Sequence, residues 1–127
     1  MDPEPEVADG PGALLDLASE MLSNRDTVSP GLWSRAAALL VRQALEECLE
    51  GYWFMRGIAV DRCTTRAQLI CLREYLHEGD LASRIAHAWS ALSRACHHHP
   101  YELPPTAEEI RMWIEPVREL HAVVVRG

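Results

Sequence analysis

The sequence contains no lysine. All twelve basic residues are arginine, set against nineteen aspartates and glutamates, which gives a formal net charge of -7. This charge argues against a broad nucleic-acid-binding surface, because phosphate binding normally requires clustered lysine and arginine. A small local basic site is still compatible with this net charge. The use of arginine alone favours a GC-rich genome, such as an actinobacterial one.

The sequence also lacks the signals of a secreted or membrane protein. No apolar run approaches the roughly 20 residues that cross a bilayer. The first residues, MDPEPEVADGP, are acidic and contain proline, whereas a secretory signal is basic and then apolar. The four cysteines, Cys48, Cys63, Cys71 and Cys96, form no C-x-x-C pair. We therefore expect a cytoplasmic protein with reduced, mostly buried thiols.

Local signals divide the chain into a lead-in and one domain. Residues 1–11 are predicted to be a disordered acidic lead-in, and residues 12–127 a single domain with one core. Helix boundaries are expected at the Ser29-Pro30 start, at Gly57, at Thr64 or Thr65, at the Gly79-Asp80 break and at Pro100. A last helix is expected to open at Thr106, with Glu109 completing a capping box, and to be kinked or cut short by Pro116.

Apolar residues recur at the helical period in each predicted helix, and no strand-like alternation of useful length occurs. The short connections favour antiparallel neighbours. We therefore predict an all-α fold, an antiparallel up-down helical bundle of about four main helices plus a short N-terminal helix. The predicted core positions include four tryptophans and residues of the first and third stripes, among them Trp33, Trp53, Trp89, Trp113, Leu17, Ile70 and Tyr75.

The fourth predicted helix carries a second, basic face opposite its apolar stripe. Arg84, His87, Ala91, Arg94 and His98 recur there at three-four spacing. A solvated helix face explains this pattern equally well, since a cation near a helix C-terminus is favoured by the helix dipole. The alternative is a small site that combines arginine donors with histidine protons.

A histidine run, His97-His98-His99-Pro100-Tyr101, follows that face. On a continuing helix His98 would share a face with Arg94. Pro100 disfavours the helical conformation at His99, so we expect the chain to leave the helix there, which lets this imidazole turn back toward Arg94. Spacing alone leaves the choice between His98 and His99 open.

Arginine and histidine are a competent pair for phosphodiester cleavage. Histidine can carry a proton near neutral pH, and arginine can donate two parallel hydrogen bonds to phosphate oxygens. In RNA the 2′-hydroxyl is an internal nucleophile, so neither a metal nor a cofactor is expected. Zinc binding is the rival interpretation, but Cys96 and His99 supply only two converging ligands. A two-fold dimer would supply both an acid and a base.

The sequence resembles the HEPN family, whose motif is arginine, four residues, histidine, one residue, tyrosine. Arg94, His99 and Tyr101 match all three positions. The segment Val41–Glu46 is similar to the long early helix of HEPN bundles, and Tyr101–Thr106 to their lead into the final helix. The resemblance extends over residues 30 to 120.

The resemblance implies a metal-independent endoribonuclease that acts as a homodimer, with Arg94 and His99 of both subunits lining a shared cleft. Many family members are toxins or phage-defence effectors. Some are silenced by a nucleotidyltransferase antitoxin that adds AMP to the motif tyrosine, here Tyr101. We expect His98 and Arg84 to be further substrate-binding or regulatory residues.

One residue departs from the family's pattern. A polar residue, commonly asparagine, often follows the motif arginine, and this chain has Ala95. The alternative is therefore a non-catalytic HEPN-like module that binds a nucleotide or a protein partner.

Overall fold

The computed structural model describes residues 10–24, 30–97 and 103–127. In these ranges the chain forms five α-helices and no strand, so the predicted all-α helical bundle is confirmed. No helix within them is long and apolar enough to span a membrane. The helices are α1 (Gly10–Ser23), α2 (Pro30–Arg56), α3 (Thr65–Tyr75), α4 (Leu81–Cys96) and α5 (Ala107–Arg126).

Local sequence signals fix most of the helix ends. Pro30 is the first residue of α2, and Gly57 follows its end with a φ of 70°, a conformation that only glycine adopts at little cost. The Thr64 hydroxyl caps α3 by accepting from the Ala67 N–H at 3.1 Å. Thr106 opens α5 through the expected capping box with its third residue. The predicted cap Ser29 lies outside the described residues, and α1 begins two residues before the predicted domain start.

Pro116 was expected to kink the last helix or to cut it short, and only the second alternative is wrong, while the kink stays a prediction. α5 continues from this residue to Arg126. Proline removes one backbone donor and crowds the carbonyl four residues earlier. Pro116 is nevertheless buried together with Val117 and Leu120, and this apolar burial offsets the loss of one hydrogen bond.

Contacts between side chains define the directions of the helices. Arg84 near the start of α4 binds Glu119 in the second half of α5, while Arg94 near the end of α4 shares a cleft with Glu109 at the start of α5. The two helices are therefore antiparallel. α1 is also antiparallel to α5, because Gly12 lies against His121 and Asp16 binds Arg118.

The long helix α2 holds the bundle together, since it packs against α1, α4 and α5. Its Arg42 contacts Cys96 at the end of α4, and its Gly51 lies against Val124 at the end of α5. Because the end of α5 pairs with the start of α4, α2 runs antiparallel to α4. α3 packs on α4 and reaches α2 through the edge-on contact of Tyr75 with Trp53, at 5.5 Å between ring centroids.

The core confirms most of the predicted apolar stripes and corrects their edges. In α1 the buried leucines are Leu15 and the predicted Leu22, whereas Leu17 is 48% exposed. In α3 the predicted inward positions Ile70 and Tyr75 are exposed, the former to 66%. Both errors have the same cause. The apolar residues of each short helix extend further around its circumference than the neighbouring helices cover. Of the tryptophans, Trp33 and Trp53 are buried, while Trp89 and Trp113 are half-buried.

The cysteine prediction is half wrong. Cys48 is buried and Cys96 is half-buried, but Cys63 and Cys71 are exposed. All four are free thiols. Burial raises the pKa of the Cys48 thiol to about 12. Cys63 and Cys71 lie on or beside α3, the helix with the fewest neighbours.

Candidate functional site

Arg94 lies in the last turn of α4, as the sequence predicts. The helix ends at Cys96, and the His97 N–H donates to the Arg94 carbonyl at 3.2 Å. His97 is already extended, with a ψ of 139°. The chain therefore leaves the helix two residues before the expected exit at His99. Histidine is a weak helix former, so a run of three of them supports the early end.

The remaining motif residues, His98, His99 and Tyr101, lie outside the described residues. Their contacts with Arg94, and the choice between the two histidines, stay predictions. The structure does place the start of that run beside Arg94, because His97 caps the turn that carries it.

The Arg94 side chain is exposed and borders a cleft of about 260 Å³ between α4 and the start of α5. Its guanidinium has no hydrogen bond or ion pair with any residue that the structure describes. Glu109 lines the same cleft, but its Oε1 accepts from the Thr106 N–H at 3.0 Å in the capping box. The other walls are Ala91, Ala95, Leu103, Pro105 and Trp113.

Arg84, the other arginine of the predicted basic face, has a different environment. Its Nη1 and Nη2 donate to Glu119 Oε2 and Oε1 at 2.8 and 2.7 Å, and its Nε donates to Asp80 Oδ1 at 2.9 Å. The hydrogen bond with Glu119, followed by that with Asp80, raises the pKa of Arg84. The same guanidinium lowers the pKa of Glu119. Two carboxylates thus compensate this charge, and the substrate-binding role of Arg84 stays a prediction.

A second cleft, of about 330 Å³, lies further along α4 and α5. The exposed His87 and Ser83 of α4 face Met112 and Pro116 of α5 across it. Trp113 borders this cleft as well as the one at Arg94. We call the two clefts together the α4–α5 groove. The structure thus brings His87 and Arg94 to one groove, with Trp113 between them.

One face of α2 carries two arginines whose contacts sequence reasoning missed. The Arg42 guanidinium lies 5.9 Å from the centroid of the Trp89 ring and also forms an ion pair with Glu46 at 3.4 Å. Arg35, two turns earlier on the same face, has a buried Nε with no hydrogen-bond partner in the part of the chain that the structure describes. Because α2 and α4 are antiparallel, Arg35 lies toward the end of the bundle where α4 stops. The seven-residue spacing between Arg35 and Arg42, about two helical turns, is the sequence pattern that could have indicated that they share a face.

Among the described residues, no three histidine, cysteine or acidic side chains come together as a metal site would require. Cys96, one of the two ligands considered for zinc, is instead beside Arg42. Burial raises the pKa of its thiol, and the hydrogen bond from Arg42 acts in the opposite direction.

Comparisons with protein-family models, with curated proteins and with solved structures gave no match for this chain.

Proposed function

We propose that this protein is a metal-independent endoribonuclease of the HEPN type, acting as a homodimer with Arg94 and His99 as its catalytic residues. One observation carries the proposal: Arg94 is exposed, lies one turn before the histidine run, and has no acceptor among the described residues. A guanidinium held open at a helix end can bind a phosphate with two parallel hydrogen bonds.

The proposed cleavage needs one hydrogen-bond donor to the phosphate and two proton transfers. His99 of one subunit removes the proton of the RNA 2′-hydroxyl, whose oxygen attacks the adjacent phosphorus. The bond to the 5′-oxygen breaks, and His99 of the second subunit returns a proton to that oxygen. The products are a 2′,3′-cyclic phosphate and a 5′-hydroxyl. Arg94 stabilises the negative charge that builds on the phosphate oxygens in the transition state.

The contrast between the two arginines of α4 supports this assignment. Arg84 already binds Glu119 and Asp80, so an incoming phosphate would have to displace two carboxylates. Arg94 has no such competitor among the described residues. A phosphate that binds at Arg94 therefore displaces no carboxylate of the described residues, although it meets the Glu109 carboxylate that lines the same cleft.

Regulation through Tyr101 belongs to the same proposal. A nucleotidyltransferase antitoxin that adds AMP to this tyrosine would place a phosphate within seven residues of Arg94. That phosphate would compete with RNA for the free guanidinium. A toxin or phage-defence role follows from this form of silencing.

The test is cleavage of a single-stranded RNA in EDTA by the purified protein. We expect Arg94→Ala and His99→Ala each to reduce cleavage by about 10²-fold or more. Arg94→Ala should leave stability within about 0.5 kcal/mol, because the side chain is exposed. Arg118→Ala is the matched control, since this exposed arginine binds Asp16 on the far side of α5 and its loss should leave cleavage unchanged. Cleavage that survives both site substitutions would refute the proposal.

A second candidate function is a non-catalytic module that binds a nucleotide. It is favoured by Ala95, which follows Arg94 and packs against the core instead of offering a polar group to the cleft. This candidate predicts nucleotide binding that depends on Arg94 but no RNA cleavage at any protein concentration. Light scattering that finds only monomer at micromolar concentration would favour it over the two-subunit mechanism.

A further inference from the structure

Trp113 is the shared wall of the α4–α5 groove. Its indole is half-buried in a helix that packs on the core, yet it borders both the cleft that contains Arg94 and the one that contains His87. A core tryptophan needs no open space on either side. An aromatic face that lies between two clefts offers a flat surface to a planar ligand.

The charges of the groove select the class of ligand. Arg94 at one end is a cation with no acceptor among the described residues, while Arg84 near the other end is compensated by Glu119. A ligand that complements this surface has one negative group at the Arg94 end and an uncharged planar group at Trp113. A nucleotide has both, because its phosphate is anionic and its base is neutral and aromatic.

We propose that the α4–α5 groove is a nucleobase subsite for single-stranded RNA, in which the base beside the phosphate bound at Arg94 stacks on Trp113. The subsite rests on the proposed ribonuclease function and adds a preference of the enzyme for unpaired bases. A base within a duplex is stacked on its neighbours and cannot reach the indole.

The probe is a 2′-O-methyl RNA octamer, which cannot be cleaved because its nucleophile is blocked. In the unmodified protein we expect the octamer to shift the indole N–H resonance of Trp113, with the buried Trp33 and Trp53 unchanged. The four indole resonances are assigned with single tryptophan-to-phenylalanine variants. No shift at Trp113 on saturation with the octamer would overturn the proposal.

Variants measure the contribution of the indole. Trp113→Ala should weaken octamer binding about tenfold to a hundredfold, the range for loss of one stacked base. Trp113→Phe keeps a ring and should bind within a few-fold of the original. Phe54→Ala is the matched control, because it removes an aromatic ring that is 86% exposed and outside the groove. If Trp113→Ala does not fold, the resonance shift and the affinity of Trp113→Phe still test whether a base stacks on Trp113.

The failure of the subsite can be told apart from the failure of the enzyme. Cleavage that depends on Arg94 together with binding that ignores Trp113 would overturn the subsite and leave the ribonuclease intact. Binding that depends on Trp113 in a protein that never cleaves RNA would support the subsite and refute the ribonuclease.

Discussion

The ion pair between Arg84 and Glu119 should stabilise the fold and contribute nothing to RNA cleavage. Its two hydrogen bonds, at 2.7 and 2.8 Å, join α4 to α5 across 35 residues of sequence. The perturbations are Arg84→Ala, Glu119→Gln and the double variant. The pair is the strongest polar link between these two helices in the part of the chain that the structure describes.

The magnitude follows from geometry and exposure. Two unit charges about 4 Å apart interact by about 1 kcal/mol in water and by about 4 kcal/mol at an effective dielectric constant near 20. The side chains of Arg84 and Glu119 are 38% and 44% exposed, so the aqueous value is the better guide. Exposed pairs measured by double-mutant cycles give about 0.2 to 1 kcal/mol. The two parallel bonds place this pair at the upper end, about 1 kcal/mol.

The assay is urea unfolding of the four proteins of the cycle, at low salt and again in 1 M salt. We expect a coupling free energy of about 1 kcal/mol that falls at high salt, because screening is strong for exposed charges. Cleavage of RNA by Glu119→Gln, which breaks the ion pair but keeps Arg84, should equal that of the unmodified protein. A coupling near zero, combined with a loss of cleavage in Arg84→Ala, would show that Arg84 binds substrate, as the sequence alone predicts, and would refute the structural role.

Two further predictions follow from pKa shifts. The Arg84 guanidinium lowers the pKa of Glu119 below its ordinary value of 4.5, so the stabilisation is complete above that value and is lost as the pH falls through the lowered pKa. The difference in unfolding free energy between the unmodified protein and Glu119→Gln should therefore shrink in acid, and a constant difference would contradict it. Among the thiols, Cys63 and Cys71 should react rapidly with a disulfide reagent at pH 8, whereas Cys48 should react only on unfolding, because burial keeps it protonated. Equal rates would contradict the burial of Cys48.

Helix ends were the most predictable part of this fold, because each end depends on residues close in sequence. Pro30, Gly57, Thr64 and Thr106 all mark boundaries where expected. Proline, glycine and threonine act there through their own φ angle or hydroxyl, whatever packs around them. The exceptions are α4, which the chain leaves two residues early at His97, and Pro116, whose local effect is outweighed by the apolar burial around it.

The buried faces of the short helices were less predictable, because they depend on which neighbours are present. Leu15 and Leu17 are both apolar and two residues apart, and only contact with α2 and α5 selects the first. Ile70 is exposed because α3 packs on one side only. No pattern within a single helix contains this information.

The candidate site also has features that the sequence predicts and features that only packing reveals. The position of Arg94 at a helix end was predictable, since it depends on the nearby histidine run. The ion pair of Arg84 was not predictable, because its partner Glu119 lies on another helix. The same applies to Trp113, whose pattern predicts a core residue. Only the packing of α4 on α5 shows that one side of its ring borders open space.

Ala95 shows why the chain can depart from the family's pattern without losing its fold. Successive helical residues point about 100° apart, so Arg94 can be exposed while Ala95 packs against the core. Ala95 is half-buried and also borders the cleft at Arg94, so an asparagine here would place part of its amide against apolar neighbours, and burying that part without partners costs up to about 1 to 3 kcal/mol. Alanine avoids that cost but offers nothing to a bound phosphate. Stabilisation of the transition state must therefore come from Arg94 itself and from the residues that follow α4, which makes this arginine the most sensitive position of the proposed enzyme.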